Sequence, residues 1–348
     1  MKGKMKTVVM EAEGKVVVRE LDIPDIQPNE VLVRMHQCNI CTVDWQTFAG
    51  LRRSMGRKFP WAGGHEMAGE IVEVGEAVTN VKLGDHVAFG VSSCGKCFMC
   101  RTGHSDRCTE RVGSEREING VVGSFGFSQY AVFDSAVCYK VSKELPYEQA
   151  GFVEPVATSI HGVKRARVTA GEKVVIIGAG NLGLVNAQVA KAYGGDVLVS
   201  EIMPERREKA EKLGFPTVDP TADNFKAVIN DFTEGRGADV VILSVGKTPA
   251  NNQAIEILSV RGRALFFAAG HPVPELNIGS NDIHYKEYEL IGTYNSDPSD
   301  FLLSAKFLSD GTVKVDQIMS QKVPMDECQR AFELAATPGT YRVSVTLD

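Results

Sequence analysis

Long apolar runs are missing from this sequence. No stretch approaches the roughly 20 residues that a membrane-spanning helix needs. The opening residues MKGKMKTVVMEAEG are basic, alternate as a strand does and hold no apolar signal-peptide core. Positive charge is also in short supply. Lys and Arg number 38 against 44 Asp and Glu, a formal charge of −6, which argues against general affinity for nucleic acid or anionic membrane surfaces. Internal repeats and low-complexity linkers are absent as well. These absences leave a cytoplasmic enzyme or binding protein, in a compartment that keeps thiols reduced.

What is present is ordinary in bulk and uneven along the chain. The 348 residues are 43% hydrophobic and 24% charged, a globular composition in a chain long enough for two domains. The first ~150 residues carry short β-branched runs broken by Gly, Pro and Asn: KVVVRELDIP, EVLVRMHQC, GEIVEVGEAV and DHVAFGV. Gly84-Asp85 reads as a turn. The middle alternates strand and helix: EKVVIIGAG, NLGLVNAQVAKAYG, DVLVSE, PERREKAEKLG, FKAVINDFTEG, ADVVILSVG, NNQAIEILSVRG as a helix, then RALFFAAG as a strand. That rhythm implies a parallel sheet covered by helices on both faces.

GAGNLG follows the first of these strands and opens its helix, giving Gly178, Gly180 and Gly183 in G-x-G-x-x-G spacing with Leu182 ahead of the third glycine. The pattern predicts a dinucleotide site. Gly178 permits the tight turn, Gly180 admits the pyrophosphate, and Gly183 lets helix and strand approach. The phosphates would rest on the helix N-terminus. Glu201, about 20 residues on, suits the ribose hydroxyls and favours NAD over NADP. Arg206 and Arg207 offer the opposing reading, a 2′-phosphate site, or are solvated helix arginines.

Half of the eight cysteines fall in SCGKCFMCRTGHSDRC, as Cys94, Cys97, Cys100 and Cys108. The spacing suits four thiolates around one structural zinc, with an iron–sulfur cluster or free thiols as alternatives. A second set is scattered: Cys41 in NICTVDW, His65 and Glu66 in GGHEMAGE, and Glu154 in FVEPVA. Cys, His and Glu can hold a catalytic zinc with a position left open. Each alone also reads as a small core thiol, a buried imidazole or a helix N-terminal charge.

Together, NICTVD, GGHEMAGEIVEVG, VKLGDHV, the cysteine lobe, VEPVATSIHGV and VVIIGAGNLGLVNAQVAKAYG resemble the zinc-dependent medium-chain dehydrogenase/reductase family in order and separation. The resemblance spans nearly the whole chain. It implies an α/β architecture in three stretches. These are a GroES-like β-rich catalytic domain over 1–155, a Rossmann NAD-binding domain over 156–295, and a return to the catalytic domain over 296–348. It places Cys41 and His65 on the catalytic zinc ligands, with Glu66 and Glu154 as the candidate carboxylate ligands. Two zinc ions per chain are implied, the second on Cys94, Cys97, Cys100 and Cys108. Glu at position 154 moves the match toward the sorbitol, polyol and threonine branch. Phe267, Ala268, Thr293 and Tyr294 become candidates to line the nicotinamide.

The activity so implied is hydride transfer between NAD and a secondary alcohol of a polyol, sugar or sugar derivative. The substrate is thus a small alcohol or ketone, and a homodimer or homotetramer is the family expectation. A threonine or amino-alcohol dehydrogenase and a non-catalytic relative are the alternatives. Two positions depart from the family. Val43 stands where Ser or Thr passes the alcohol proton outward, and Gln46 where His is frequent. Valine carries no proton, so either Thr42, Asp44, Glu66, a substrate hydroxyl or water serves, or the chemistry differs from simple alcohol oxidation. Arg52, Arg53, Arg57 and Lys58 are candidates to meet an anionic substrate group.

Overall fold

A computed structural model describes residues 2–51, 58–110 and 115–348. Arg52, Arg53 and Arg57 lie outside the described residues, and Lys58 is exposed. The chain forms two compact units: residues 1–157, 296–311 and 318–348 in one, and 158–295 with 312–317 in the other.

The first unit holds two sheets. One runs in the order Lys15–Asp22, Lys4–Ala12, Trp61–Ala62, Val121–Gly123, Arg116–Ile118. The other runs Cys138–Lys140, His86–Phe89, Glu66–Val74, Glu30–Asn39, Arg342–Thr346, Met319–Pro324, with Tyr130–Asp134 also paired to Glu30–Asn39. Their apolar side chains share one core that includes Met5, Val33, Ile71, Val87, Phe127 and Val345. The tail's strand Arg342–Thr346 pairs antiparallel with Glu30–Asn39, Val345 opposite Cys38.

The second unit is a six-stranded sheet, Thr217–Val218, Asp196–Ser200, Lys173–Ile177, Ala238–Leu243, Leu258–Phe266, Glu289–Gly292. Every pairing is parallel. Val174, Val175 and Ile176 are fully buried, because a central parallel strand is covered on both faces. The order turns back at Lys173–Ile177, whose two neighbours lead to opposite edges. The crevice at the carboxyl end of that switch point is where such sheets bind ligands.

One sequence expectation fails here. The helix expected through NNQAIEILSVRG stops at Ile257, and the strand Leu258–Phe266 starts at the next residue. No Gly or Pro marks the change. Instead Leu258 and Ser259 are buried beside Ala238, and the register slips between Ala238 and Val240 to admit the extra residues before Arg263. Sheet pairing outweighs helix propensity there.

Candidate functional site

Strand pairing builds the candidate metal site. Asn39 sits opposite Glu66 in the ladder, so Cys41, two residues past the first strand, arrives beside His65 and Glu66. Cys41 is the N-cap of the helix Thr42–Phe48, and Asp44 completes the cap by accepting the Cys41 N–H at 3.0 Å. Gly64 has φ of 97°, and a Cβ there would meet Cys38 Sγ at 2.8 Å. A side chain at Gly151 would meet Asn39 Nδ2 at 2.8 Å and the Glu66 carbonyl oxygen at 2.9 Å. Its absence lets the chain pass close by and start the helix Val153–Arg165, which carries Glu154 in its first turn.

Ligand atoms of Cys41, His65 and Glu66 all lie within 4.8 Å of one another. Glu154 stands outside that set, half-buried, but close enough to act electrostatically on Cys41, His65 and Glu66. Asp44 Oδ2 lies 3.8 Å from His65 Nδ1. Arg342 donates to Glu66 Oε1 at 2.8 Å and to the Ile40 carbonyl at 3.2 Å. Glu66 Oε2 is buried with no hydrogen-bond partner among the described residues. A buried carboxylate oxygen left open beside a thiol and an imidazole fits a divalent metal, zinc above all.

The electrostatics agree with a site short of positive charge. Burial pushes the Glu66 carboxyl well up, and the Arg342 guanidinium opposes that. Burial also raises Glu154 and Cys41. Packing around the His65 ring would lower it, but Asp44, Glu154 and Glu66 outweigh this and raise it. Carboxylates crowded into low dielectric favour a bound cation.

The four cysteines of the lobe also converge. Sulfur separations are 4.0 Å for Cys94 and Cys100, 3.5 Å for Cys97 and Cys100, and 3.9 Å for Cys97 and Cys108. Disulfide sulfurs lie about 2.05 Å apart, so this is no disulfide cluster, and all eight cysteines are free. Zn–S bonds of about 2.3 Å in a tetrahedron put sulfurs about 3.8 Å apart, so the cage fits zinc. Backbone N–H groups of Cys100 and Thr109 push the Cys97 thiol down to about 5, which favours the thiolate a metal would take. Gly95 and Gly103, both at positive φ, turn the chain around the cage.

In the second unit the glycine-rich turn is built only because its glycines lack side chains. A Cβ at Gly183 would sit 1.8 Å from the Gly178 carbonyl oxygen, so helix and strand meet only because it is glycine. A Cβ at Gly180, the N-cap of Asn181–Ala192, would meet only Arg206 Nη1 at 3.7 Å, which leaves space for phosphate at the helix end. Glu201 is buried, with Ala179 N–H on one carboxylate oxygen at 2.7 Å and Met203 N–H on the other at 2.9 Å. Each oxygen keeps a lone pair for a ribose hydroxyl. Arg207 is turned away, donating to the Glu201 and Ile202 carbonyls and pairing with Asp219 at 3.1 Å. Phe267 and Ala268 follow the strand Leu258–Phe266, and both N–H groups donate to the Leu243 carbonyl. Thr293 Oγ1 is shielded and has no partner among the described residues, while Tyr294 is exposed. Leu182 lies half-buried in the first turn of the helix.

Arg342 is the functional residue that sequence reasoning missed. Its one signal was a lone Arg in the alternating run YRVSVTLD, where a strand's buried face expects apolar side chains.

Comparison with known proteins agrees. Residues 27–143 match the alcohol dehydrogenase GroES-like domain, and residues 181–310 match the zinc-binding dehydrogenase domain. L-galactonate-5-dehydrogenase of Escherichia coli (strain K12) is 30% identical over 331 residues, covering 94% of each chain. The chain belongs to the zinc-dependent medium-chain dehydrogenase/reductase family. Another member, L-threonine 3-dehydrogenase of Pyrococcus horikoshii, is 32% identical over 332 residues, covering 93% of each. A zinc-binding dehydrogenase of Sinorhizobium meliloti 1021, solved bound to NADP, superposes with a TM-score of 0.87 at 27% identity over 99% of each chain. The GroES-like and Rossmann architecture expected of this dehydrogenase is therefore correct. No helix among its described residues is long and apolar enough to cross a membrane.

Proposed function

We propose that this dehydrogenase oxidises a secondary alcohol of a polyol, sugar or sugar acid, with NAD as the hydride acceptor. The observation that carries the reading is the convergence of Cys41, His65 and Glu66 within 4.8 Å. The substrate class is supported by relatives named for such substrates, among them the sorbitol dehydrogenase of Halalkalibacterium halodurans and the galactonate enzyme above. NAD over NADP is supported by Glu201, whose carboxylate at the ribose position repels a 2′-phosphate.

Cys41, His65 and Glu66 would hold the catalytic zinc, with Glu154 nearby, and the four lobe cysteines a structural one. Zinc at the first site supplies Lewis acidity that stabilises negative charge on an alcohol oxygen. NAD bound at the glycine-rich turn supplies the electrophilic nicotinamide carbon. Asp44 fixes the Cys41 backbone and stands beside the His65 ring. Arg342 holds one oxygen of Glu66, leaving the other turned to the ligand set. Val43 accepts no proton, so the alcohol proton must take another path. Glu154, half-buried and without an arginine ion pair among the described residues, is the group we assign to accept it. Phe267, Ala268, Thr293 and Tyr294 would border the nicotinamide, and Gly178, Gly180, Leu182, Gly183 and Arg206 the pyrophosphate and adenosine end.

A threonine-type reading is favoured by the 32% identity to the Pyrococcus enzyme. Turnover with NAD and with NADP across polyols, sugar acids and hydroxy amino acids separates the readings. A polyol or sugar acid should exceed threonine at least tenfold in kcat/KM with NAD. Preference for threonine, or for NADP, would overturn the assignment, and no turnover on the panel with zinc bound would favour a non-catalytic relative. Reduced thiols in both ligand sets agree with a cytoplasmic location, and sedimentation would read the expected dimer or tetramer.

A further inference from the structure

The Asp297 carboxylate ties the cysteine lobe to a helix of the same unit. The short turn Ser105–Arg107 ends directly before Cys108. The Ser105 hydroxyl donates to Asp297 Oδ1 at 2.6 Å, and the Asp106 N–H donates to the same oxygen at 3.1 Å. Asp297 is also the N-cap of the helix Pro298–Ser309, in a capping box with Asp300. Its own N–H donates to Asp300 Oδ2 at 2.9 Å. The same side chain therefore closes the lobe and starts a helix.

That helix leads to the candidate catalytic site. Phe301 is buried and stacks on Tyr139 with ring centroids 5.2 Å apart. One turn on, the fully buried Ser304 donates its hydroxyl to the Val153 carbonyl at 2.6 Å. Val153 is the residue before Glu154. Three segments distant in sequence thus form a chain of contacts from Cys108 to Glu154 inside a single unit.

We propose that Asp297 is a positioning residue that couples metal occupancy of the four-cysteine lobe to the placement of Glu154. This rests on the two-zinc reading above. With the cage filled, the Ser105–Arg107 turn is held and presents two donors to Asp297. A carboxylate at a helix N-terminus, accepting from several N–H and O–H groups at once, is a strong fixed point. When the cage empties, the turn loosens, Asp297 loses those donors, and the first turns of Pro298–Ser309 fray. Ser304 passes the change to the Val153 carbonyl and so to Glu154.

The test is hydrogen exchange on the full chain as purified, read at the amides of Glu154, Val156, Ala157 and Thr158, Pro155 having none. Cys97→Ser, which opens the cage, should speed exchange there about tenfold, the loss of roughly one charge-assisted hydrogen bond. Asp297→Ala should do the same, and adding Cys97→Ser to it should change the rate less than twofold, as coupled sites do. Asp297→Asn, which keeps an acceptor, should restore most of the protection. Ser105→Ala leaves the helix cap intact and guards against a folding defect. It should speed chelator-driven release of the lobe metal severalfold, because coupling is reciprocal. Unchanged exchange in Cys97→Ser, full additivity with Asp297→Ala, or normal release from Ser105→Ala would each overturn the coupling. Failure of the two-zinc reading shows separately, as missing lobe metal in the unmodified protein.

Discussion

Arg342 and Glu66 form an ion pair at 2.8 Å with side chains 4% and 1% exposed, joining the last strand of the chain to the ligand set. Burial of both charges is offset only while they remain together. Arg342→Met should therefore lower stability by about 3–5 kcal/mol, the cost of an uncompensated buried carboxylate. Adding Glu66→Gln should recover part of the loss. Urea unfolding of the two variants checks this, and a cost below about 1 kcal/mol for Arg342→Met would contradict it.

Gly183→Ala places a methyl group where the Gly178 carbonyl stands 1.8 Å away. The helix Asn181–Ala192 must then move off the strand Lys173–Ile177, taking with it the N–H groups that would face phosphate. NADH affinity, followed by fluorescence titration, should fall at least tenfold. Zinc content should stay unchanged, because Cys41, His65, Glu66 and the four lobe cysteines all lie in the other unit. Normal NADH affinity would contradict the assignment of the glycine-rich turn.

Much of this was legible in the sequence because the signals were local. The strand EKVVIIGAG, the turn at Gly84 and the cysteine spacing are each set within about 15 residues. The end of the helix at Ile257 was not legible, since pairing with Ala238 decides it and no breaker residue announces it. Arg342 was not legible either. Its partners Glu66 and Ile40 lie some 300 residues earlier, and only the pairing of Arg342–Thr346 with Glu30–Asn39 brings them together. Asp44 was legible as a candidate proton carrier but not as the cap that fixes Cys41.

Glu201 holds the Ala179 and Met203 N–H groups and, in the proposed site, would meet the ribose hydroxyls. Glu201→Gln keeps one acceptor and removes the charge that repels a 2′-phosphate. The ratio of kcat/KM for NAD over NADP should drop about tenfold. An unchanged ratio would assign cofactor choice to other residues.

Tyr139 and Tyr147 should titrate late. Burial pushes both phenols up to about 12; Cys138 and Asp300 add to it for Tyr139, and Glu70 and Asp348 for Tyr147. In the unfolded chain they ionise near 10. A folded value above the unfolded one means stability complete below pH 10 and lost as pH rises toward 12. Absorbance at 295 nm should show Tyr139 and Tyr147 ionising about two units late, with the unfolding midpoint falling over the same range. Loss of the late step on Tyr139→Phe and Tyr147→Phe confirms the assignment, and absence of any late step in the unmodified protein would contradict this burial.

Elemental analysis of the purified protein, beside Cys41→Ala, is the most direct measurement of the proposed chemistry. Two zinc ions per chain are expected in the unmodified protein. Cys41→Ala should retain one, on the lobe cysteines, and lose at least a thousandfold in alcohol oxidation. A protein free of zinc, or a Cys41→Ala variant with both ions and full activity, would contradict a catalytic metal held by Cys41, His65 and Glu66.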